Sequence, residues 1–175
     1  YCSDVNTDHV RSLRQRLALC ANDCFTEQSD FFAKDWKKFF SEMREKRILI
    51  IGNPPWVTNS ALGMLNSKNV PKKSNFQHRS GFAAKTGKAN FDIAEWILIR
   101  LVESLKGKNA CLAMLCKTAT ARKVLSYLWK NDADIGRSSL HIIDAGKHFN
   151  ASVGACLFVI HPGAGTVTKA AGVYS

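Results

Sequence analysis

Ile48-Leu49-Ile50-Ile51-Gly52-Asn53-Pro54-Pro55-Trp56 decides how the chain is read. Four aliphatic residues in a row, closed by Gly and Pro, have the form of a buried parallel strand. The Asn-Pro-Pro-Trp corner then stands at that strand's carboxyl end, where open α/β sheets bind ligands. Pro54 and Pro55 have a fixed φ and no N–H, so the corner is stiff and offers no backbone donor of its own. Its chemistry suits an exocyclic amine, whose lone pair is delocalised into the adjoining π-system. Two acceptors on the amine hydrogens, the Asn53 side-chain oxygen and the Pro54 carbonyl, draw it towards a tetrahedral shape and free that lone pair. Trp56 adds a flat face for a planar group, as in sites that hold a flipped base by stacking. The structural alternative is an Asn-Pro turn closing a strand, with Trp56 in the core.

These residues resemble the catalytic motif of S-adenosylmethionine-dependent amino-methyltransferases, above all the gamma-type N6-adenine DNA methyltransferases of restriction–modification systems. Release-factor glutamine methyltransferases and some ribosomal RNA methyltransferases carry similar corners. The resemblance implies an α/β, Rossmann-like class I methyltransferase fold, with a mostly parallel sheet and a C-terminal antiparallel hairpin. It implies S-adenosylmethionine as cofactor, no metal, and a catalytic set of Asn53, Pro54, Pro55 and Trp56.

Upstream, Tyr1 to Asn6 has the form of a strand ending in an acid. A helix follows, with Val10, Leu13, Leu17 and Ala21 at helical spacing. A carboxylate at such a strand end can accept ribose hydroxyls, and in the resembled family an acid followed by a hydrophobic residue does this for the cofactor. Asp4 and Val5 match that pattern; helix capping is the other reading of Asp4. Ser29-Asp30-Phe31-Phe32 matches the family's Asp-aromatic pair, in which the acid takes the adenine amino group of the cofactor. The resemblance therefore adds Asp30 and Phe31 to the cofactor-binding set, together with Asn53.

Downstream, Val57 to Ala89 shows no sustained period and reads as a long loop, either functional or a disordered, solvated connection. It carries Lys72, Lys73, Arg79, Lys85 and Lys88 among Phe76 and Phe82, a mixture suited to phosphates and bases. Phe91-Asp92-Ile93-Ala94-Glu95-Trp96 opens a helix that Asp92 can cap, with Glu95 in capping-box position. Its Ile93, Ile97, Leu101 and Leu105 form one face, and Gly107 ends it. The resemblance places Phe91 in the cofactor pocket; Trp96 reads as core.

Ala110 to Leu115 reads as another buried strand, and Lys117 beyond it as a phosphate contact or a solvated lysine. Leu140 to Ala145 is a further strand. His148 to Ile160 reads as a tight connection into a last strand, with Phe158 in the core. In the resembled family an aromatic before this hairpin packs on the extruded adenine opposite the catalytic aromatic. Phe149 matches it, pairing with Trp56 as the base-binding set.

The whole chain of 175 residues has the size of one domain, read as a partial catalytic domain over 1–161 and a Gly/Ala-rich tail over 162–175. A formal charge of +11 and a pI near 9.6 favour a polyanionic partner. No apolar run approaches a membrane span, and no signal-peptide pattern opens the chain. The six cysteines lack paired CxxC spacing and read as buried free thiols in a reducing cytoplasm. The family's aromatic-x-Gly-x-Gly segment with its strand is not among these residues, nor is a target-reading domain after Ile160. The chain is therefore expected to be a piece of a longer cytoplasmic protein, N-terminal part missing.

The expected activity is methyl transfer to the N6 amine of a flipped-out adenine in double-stranded DNA, with a restriction nuclease as a further partner. The alternatives are an RNA base, a protein glutamine, or a non-catalytic nucleic-acid-binding partner of a methylation complex.

Overall fold

The computed structural model describes residues 1–18, 24–44, 47–57, 92–163 and 167–175. Two short parallel strands, β1 (Cys2–Asp4) and β2 (Thr26–Gln28), flank helix α1 (Thr7–Leu17). Asn6 caps α1 by accepting from the Asp8 and His9 amides. Helix α2 (Trp36–Glu42) follows, capped by Asp35, and leads to β3 (Ile48–Gly52).

Beyond β3 come α3 (Ile93–Ser104), β4 (Ala110–Lys117), α4 (Thr118–Lys130), β5 (Ile135–Ile143), the short α5 (Ala145–Phe149), β6 (Ala155–Pro162) and β7 (Ala171–Tyr174). Strands β3 to β7 form one sheet in the order β3-β4-β6-β5-β7. β3 runs parallel to β4 and β7 parallel to β5, but β6 lies between β4 and β5 and is antiparallel to both. The sheet is thus mixed, which corrects the expected mostly parallel arrangement. The compact turn through α5 returns the chain directly alongside β5. β6 also has buried residues at alternate positions along its length, which suits an interior strand. The stretch set apart as a tail contributes β7, paired to β5 from Ala171 to Tyr174.

The core lies on one face of this sheet, where α3 and α4 pack. Leu112, Met114 and Cys116 of β4 alternate inward, and Phe158 and Ile160 of β6 lie in the same buried layer. From the helices come Ile93, Leu98, Leu101, Val124 and Leu128. α3 is buried well beyond the single expected face because both α2 and α4 pack against it while its residues share the core with those of β4 and β6. Trp96 sits in this core, as its sequence context suggested. A turn with Gly107 at φ 75° ends the segment after α3.

β3 differs from its reading as a buried strand. Its parallel pairing is there, but Leu49 is 67% and Ile51 74% exposed. These side chains point away from the helical layer, and among the described residues nothing covers that face at β3. The two sheets are separate, and β1 and β3 both line one cavity of about 880 Å³. The cysteines likewise divide: Cys116 and Cys156 are buried cross-strand neighbours, whereas Cys2 and Cys24 are exposed. No helix among the described residues is long and apolar enough to cross a membrane.

Candidate active site

β3 delivers Asn53-Pro54-Pro55-Trp56 to the carboxyl end of the parallel pair β3–β4. Pro54 is buried; Asn53 and Pro55 are exposed. Trp56 is half-buried, and its indole Nε1–H donates to the Leu115 carbonyl of β4 at 3.3 Å. The next carbonyl, that of Val57, accepts from the Ile93 amide at 3.0 Å. The corner is therefore held by both the strand and the helix that follow it in sequence.

The second wall comes from the other end of the chain. Asp144 caps α5 through the Lys147 amide, and Asn150 closes the helix in the left-handed conformation at φ 51°. Phe149, the last helical residue, meets Trp56 edge to face, with ring centroids 5.5 Å apart and planes at 71°. A pocket of about 270 Å³ is lined by Asn53, Pro54, Pro55, Trp56, Phe149 and Ala151. All four residues of the corner and the aromatic paired with them in the sequence reading are thus brought together.

The larger cavity of about 880 Å³ adjoins the other side of the corner and shares Asn53, Pro54 and Pro55 with the first. Asp4, Val5 and Phe31 line it too. Asp4 ends β1, and its Oδ1 accepts from the Asn6 amide at 2.7 Å while Oδ2 lies 3.4 Å from His9 Nδ1. The carboxylate is therefore already engaged in holding the start of α1, though its side chain remains 41% exposed. Asp30 is not among the cavity-lining residues; its Oδ1 accepts from the Phe32 amide at 2.9 Å and shapes the turn that presents Phe31 and Phe32.

That turn is wrapped in aromatic rings. Phe31 packs on Trp36 at 4.7 Å and Phe32 on Trp96 at 5.3 Å, and the Trp36 indole donates to the Phe31 carbonyl. Lys34 is drawn into the same cluster. Its ammonium donates to Glu27 and to the Tyr1 hydroxyl and lies over the Tyr1 and Phe39 rings. Burial works against the Lys34 charge, yet the bonds to Glu27 and Tyr1 outweigh it and raise the ammonium above its ordinary value. The bonds from Lys34 and Tyr1 hold Glu27 below the usual carboxylate range. The cluster was not singled out in the sequence; the aromatic run from Phe31 to Phe40 was its only signal.

Lys117 ends β4, and its ammonium lies 3.1 Å from Asp92 Oδ2. Asp92 itself is 7% exposed and caps α3 as its sequence position suggested, accepting from the Ala94 amide. Phe91 and the basic residues Lys72, Lys73, Arg79, Lys85 and Lys88 lie outside the described residues. Among the described residues no cluster of His, Cys, Asp and Glu has the makings of a metal site.

The arrangement is a rigid corner between two cavities. One is small, open and bordered by two aromatic rings; the other is large, with a carboxylate and further rings. No protein-family model matches the chain. The chain is 42% identical over 157 residues to a curated protein, the Type II methyltransferase M.NspV of a Nostoc species; the match covers 89% of this chain and 32% of that protein, so the chain spans about a third of that relative's length.

Proposed function

We propose that the chain carries the methyl-transfer centre of a restriction–modification DNA methyltransferase with a Rossmann-like class I architecture, acting on the N6 amine of adenine. One observation carries this reading: Asn53, Pro54 and Pro55 line both cavities, with Trp56 and Phe149 on one side and Asp4, Val5 and Phe31 on the other. Two reactants seated in these cavities would meet at the corner. The similarity to a Type II methyltransferase supports the reaction class.

The larger cavity suits S-adenosylmethionine in size and lining, since nucleoside ligands are held by apolar walls with a few placed polar groups. Asp4 and Val5 would hold its ribose end and Phe31 its adenine, with Asp30 acting through the turn that presents Phe31; Phe91 would stand at its methionine end and Asn53 at the edge facing the substrate. When bound, the cofactor supplies an electrophilic methyl group on a sulfonium. The chain does the rest by orientation. Asn53 and the Pro54 carbonyl would accept hydrogen bonds from the two N–H groups of the target amine and turn its lone pair out of the ring plane, one of these protons passing to solvent after the methyl is attached. Trp56 and Phe149 hold the base flipped out of the duplex. Pro55 keeps the corner from relaxing.

The charge of +11 supports DNA as the partner, with Lys72, Lys73, Arg79, Lys85 and Lys88 as phosphate contacts. A restriction nuclease of the same system completes the proposed set of partners. The reaction site belongs to the cytoplasm, where DNA and the cofactor meet.

The test is transfer of labelled methyl from S-adenosylmethionine by the intact protein to unmethylated DNA, RNA and release factor offered in parallel. Adenine label in DNA, lost in Asn53→Ala, is the expected result. Label in RNA or release factor instead would replace the substrate, and undiminished turnover by Asn53→Ala would remove the corner from the mechanism.

A further inference from the structure

The two supports of Trp56 are tied to each other. Its indole is bonded to the Leu115 carbonyl, two residues before Lys117 at the end of β4. The carbonyl of Val57, next in the chain, is bonded to the Ile93 amide, directly after Asp92 at the start of α3. Lys117 Nζ and Asp92 Oδ2, 3.1 Å apart, join these two ends. The result is a closed circuit running from Trp56 through Leu115, Lys117, Asp92 and Val57 back to Trp56.

The opposite wall is tied to the same point. The Thr118 amide, beside Lys117, donates to the Gly154 carbonyl at 2.9 Å. Gly154 ends the short turn that follows Phe149 and Ala151. Enclosure makes the ion pair more than a surface contact. The Asp92 side chain is 9% and that of Lys117 27% exposed, so removing the ammonium would leave a nearly buried carboxylate without its cation. The Asp92 Oδ1 bond to the Ala94 amide ties that carboxylate to the first turn of α3, so its displacement would move the helix end that holds Val57.

We propose that Lys117, through its pair with Asp92, is a positioning residue that fixes Trp56 and the corner for methyl transfer; this rests on the function proposed above. A lysine at the edge of a DNA-facing site would otherwise be taken for a phosphate contact. The two roles predict opposite results. A phosphate contact supports DNA binding in a salt-dependent way and gains freedom when Asp92 is neutralised. A positioning residue supports turnover and loses its function when Asp92 is neutralised.

The experiment compares Lys117→Met, Asp92→Asn, the double variant and Lys117→Arg in the intact protein. It reads kcat, KM and DNA affinity across a salt series, together with ¹⁹F spectra of 5-fluorotryptophan-labelled protein, the Trp56 signal being assigned with Trp56→Phe. Both single variants should lower kcat about 10- to 100-fold, the scale of a small misplacement at a reacting centre. DNA affinity and its salt dependence should stay unchanged, the Trp56 signal should shift, and the double variant should be no worse than either single. Lys117→Arg, which keeps a cation for Asp92, should restore most of the turnover and the Trp56 signal.

A fall of about one in the salt slope with Lys117→Met, with kcat and the Trp56 signal unchanged, would overturn the proposal. If the unaltered protein transfers no methyl to DNA, the functional reading fails separately, and the Trp56 signal still decides whether the pair positions the corner. Asp92→Asn is isosteric and keeps the bond to the Ala94 amide within its capacity. It therefore serves as the readout if Lys117→Met does not fold.

Discussion

Trp56 and Phe149 stand edge to face at 5.5 Å, one anchored and the other at the end of a five-residue helix. The anchoring is the Trp56 indole bond to Leu115; Phe149 has none of this kind from its ring and is 42% exposed. A planar base held between two faces needs a van der Waals contact of about 3.5 Å on each side, more than the present separation allows. The edge of one ring therefore occupies the stacking face of the other, and the two must part for a base to enter between them. Phe149, at the exposed helix end, is the ring placed to move.

If the pair grips a flipped base, Phe149→Ala should lower kcat/KM on DNA by about 5- to 150-fold, since stacking contributes about 1–3 kcal/mol per base. Phe149→Tyr should keep most of the activity. Steady-state kinetics with unmethylated duplex checks this, and 2-aminopurine at the target position reports extrusion directly. Equal activity in Phe149→Ala would leave the ring as mere packing for Trp56.

Asp4 has two candidate duties, holding the start of α1 and meeting a ribose at the cavity wall. Asp4→Asn separates them, because an amide oxygen can still accept from Asn6 whereas the charge is gone. Binding of S-adenosylhomocysteine should weaken by about 10- to 150-fold, the span expected from losing a charge-assisted hydrogen bond of about 1.5–3 kcal/mol. The melting temperature should change little. Isothermal titration and thermal unfolding read the two duties independently, and a lower melting temperature with intact ligand affinity would assign Asp4 to the helix alone.

Much of this site was legible in the sequence because its parts are local. A Gly-Asn-Pro-Pro corner after an aliphatic strand, a capping Asp92 before an apolar helix and an acid at the end of a first strand each declare themselves within a few residues. Their assembly was legible only through resemblance: nothing in the spacing of Phe149 says that its ring meets Trp56. The antiparallel hairpin at the end of the chain was expected and is formed by β5 and β6, but the sheet as a whole is mixed because strand order depends on how the chain returns, and the short α5 turn brings β6 back between β4 and β5. The Lys117–Asp92 pair was missed for the same reason. Each residue had a good local reading, as cap or solvated lysine, and only the adjacency of β4 to the start of α3 joins them. The aliphatic residues of β3 promised burial on both faces, yet Ile51 stands exposed, because apolar character records what a face can bury and not what covers it.

Gly163 and Gly107 make a controlled pair for backbone strain. Both have positive φ, 66° and 75°. A Cβ at Gly107 would meet nothing within 4 Å, whereas at Gly163 it would lie 2.8 Å from the Lys108 carbonyl oxygen and 3.0 Å from the Gly107 amide nitrogen. Gly107→Ala should cost about 1–2 kcal/mol, the left-handed penalty alone. Gly163→Ala should cost clearly more, because backbone atoms cannot rotate aside as a side chain can. Urea unfolding of the two variants measures the difference, and equal losses would mean that the turn at Lys108 yields freely.

The Tyr1, Glu27 and Lys34 cluster predicts a pH dependence whose sign follows from Glu27. The bonds from Lys34 and Tyr1 hold its carboxyl below the ordinary value of 4.5, so the folded state binds that proton less readily than the unfolded state does. Stability from this source is present above pH 4.5 and is lost as pH falls through the folded value. Glu27→Gln removes it throughout, so the variant should be less stable than the native sequence at pH 7 and lose less on acidification from pH 5 to 3. Lys34 gives the mirror image: its raised ammonium stabilises at and below pH 10.5, and that contribution fades as pH rises beyond it. Urea unfolding of both proteins at pH 7, 5 and 3 checks the acid limb. Parallel curves would show that Glu27 titrates as it does in the unfolded chain, and the aromatic rings around Lys34 would then hold the cluster without help from the carboxylate.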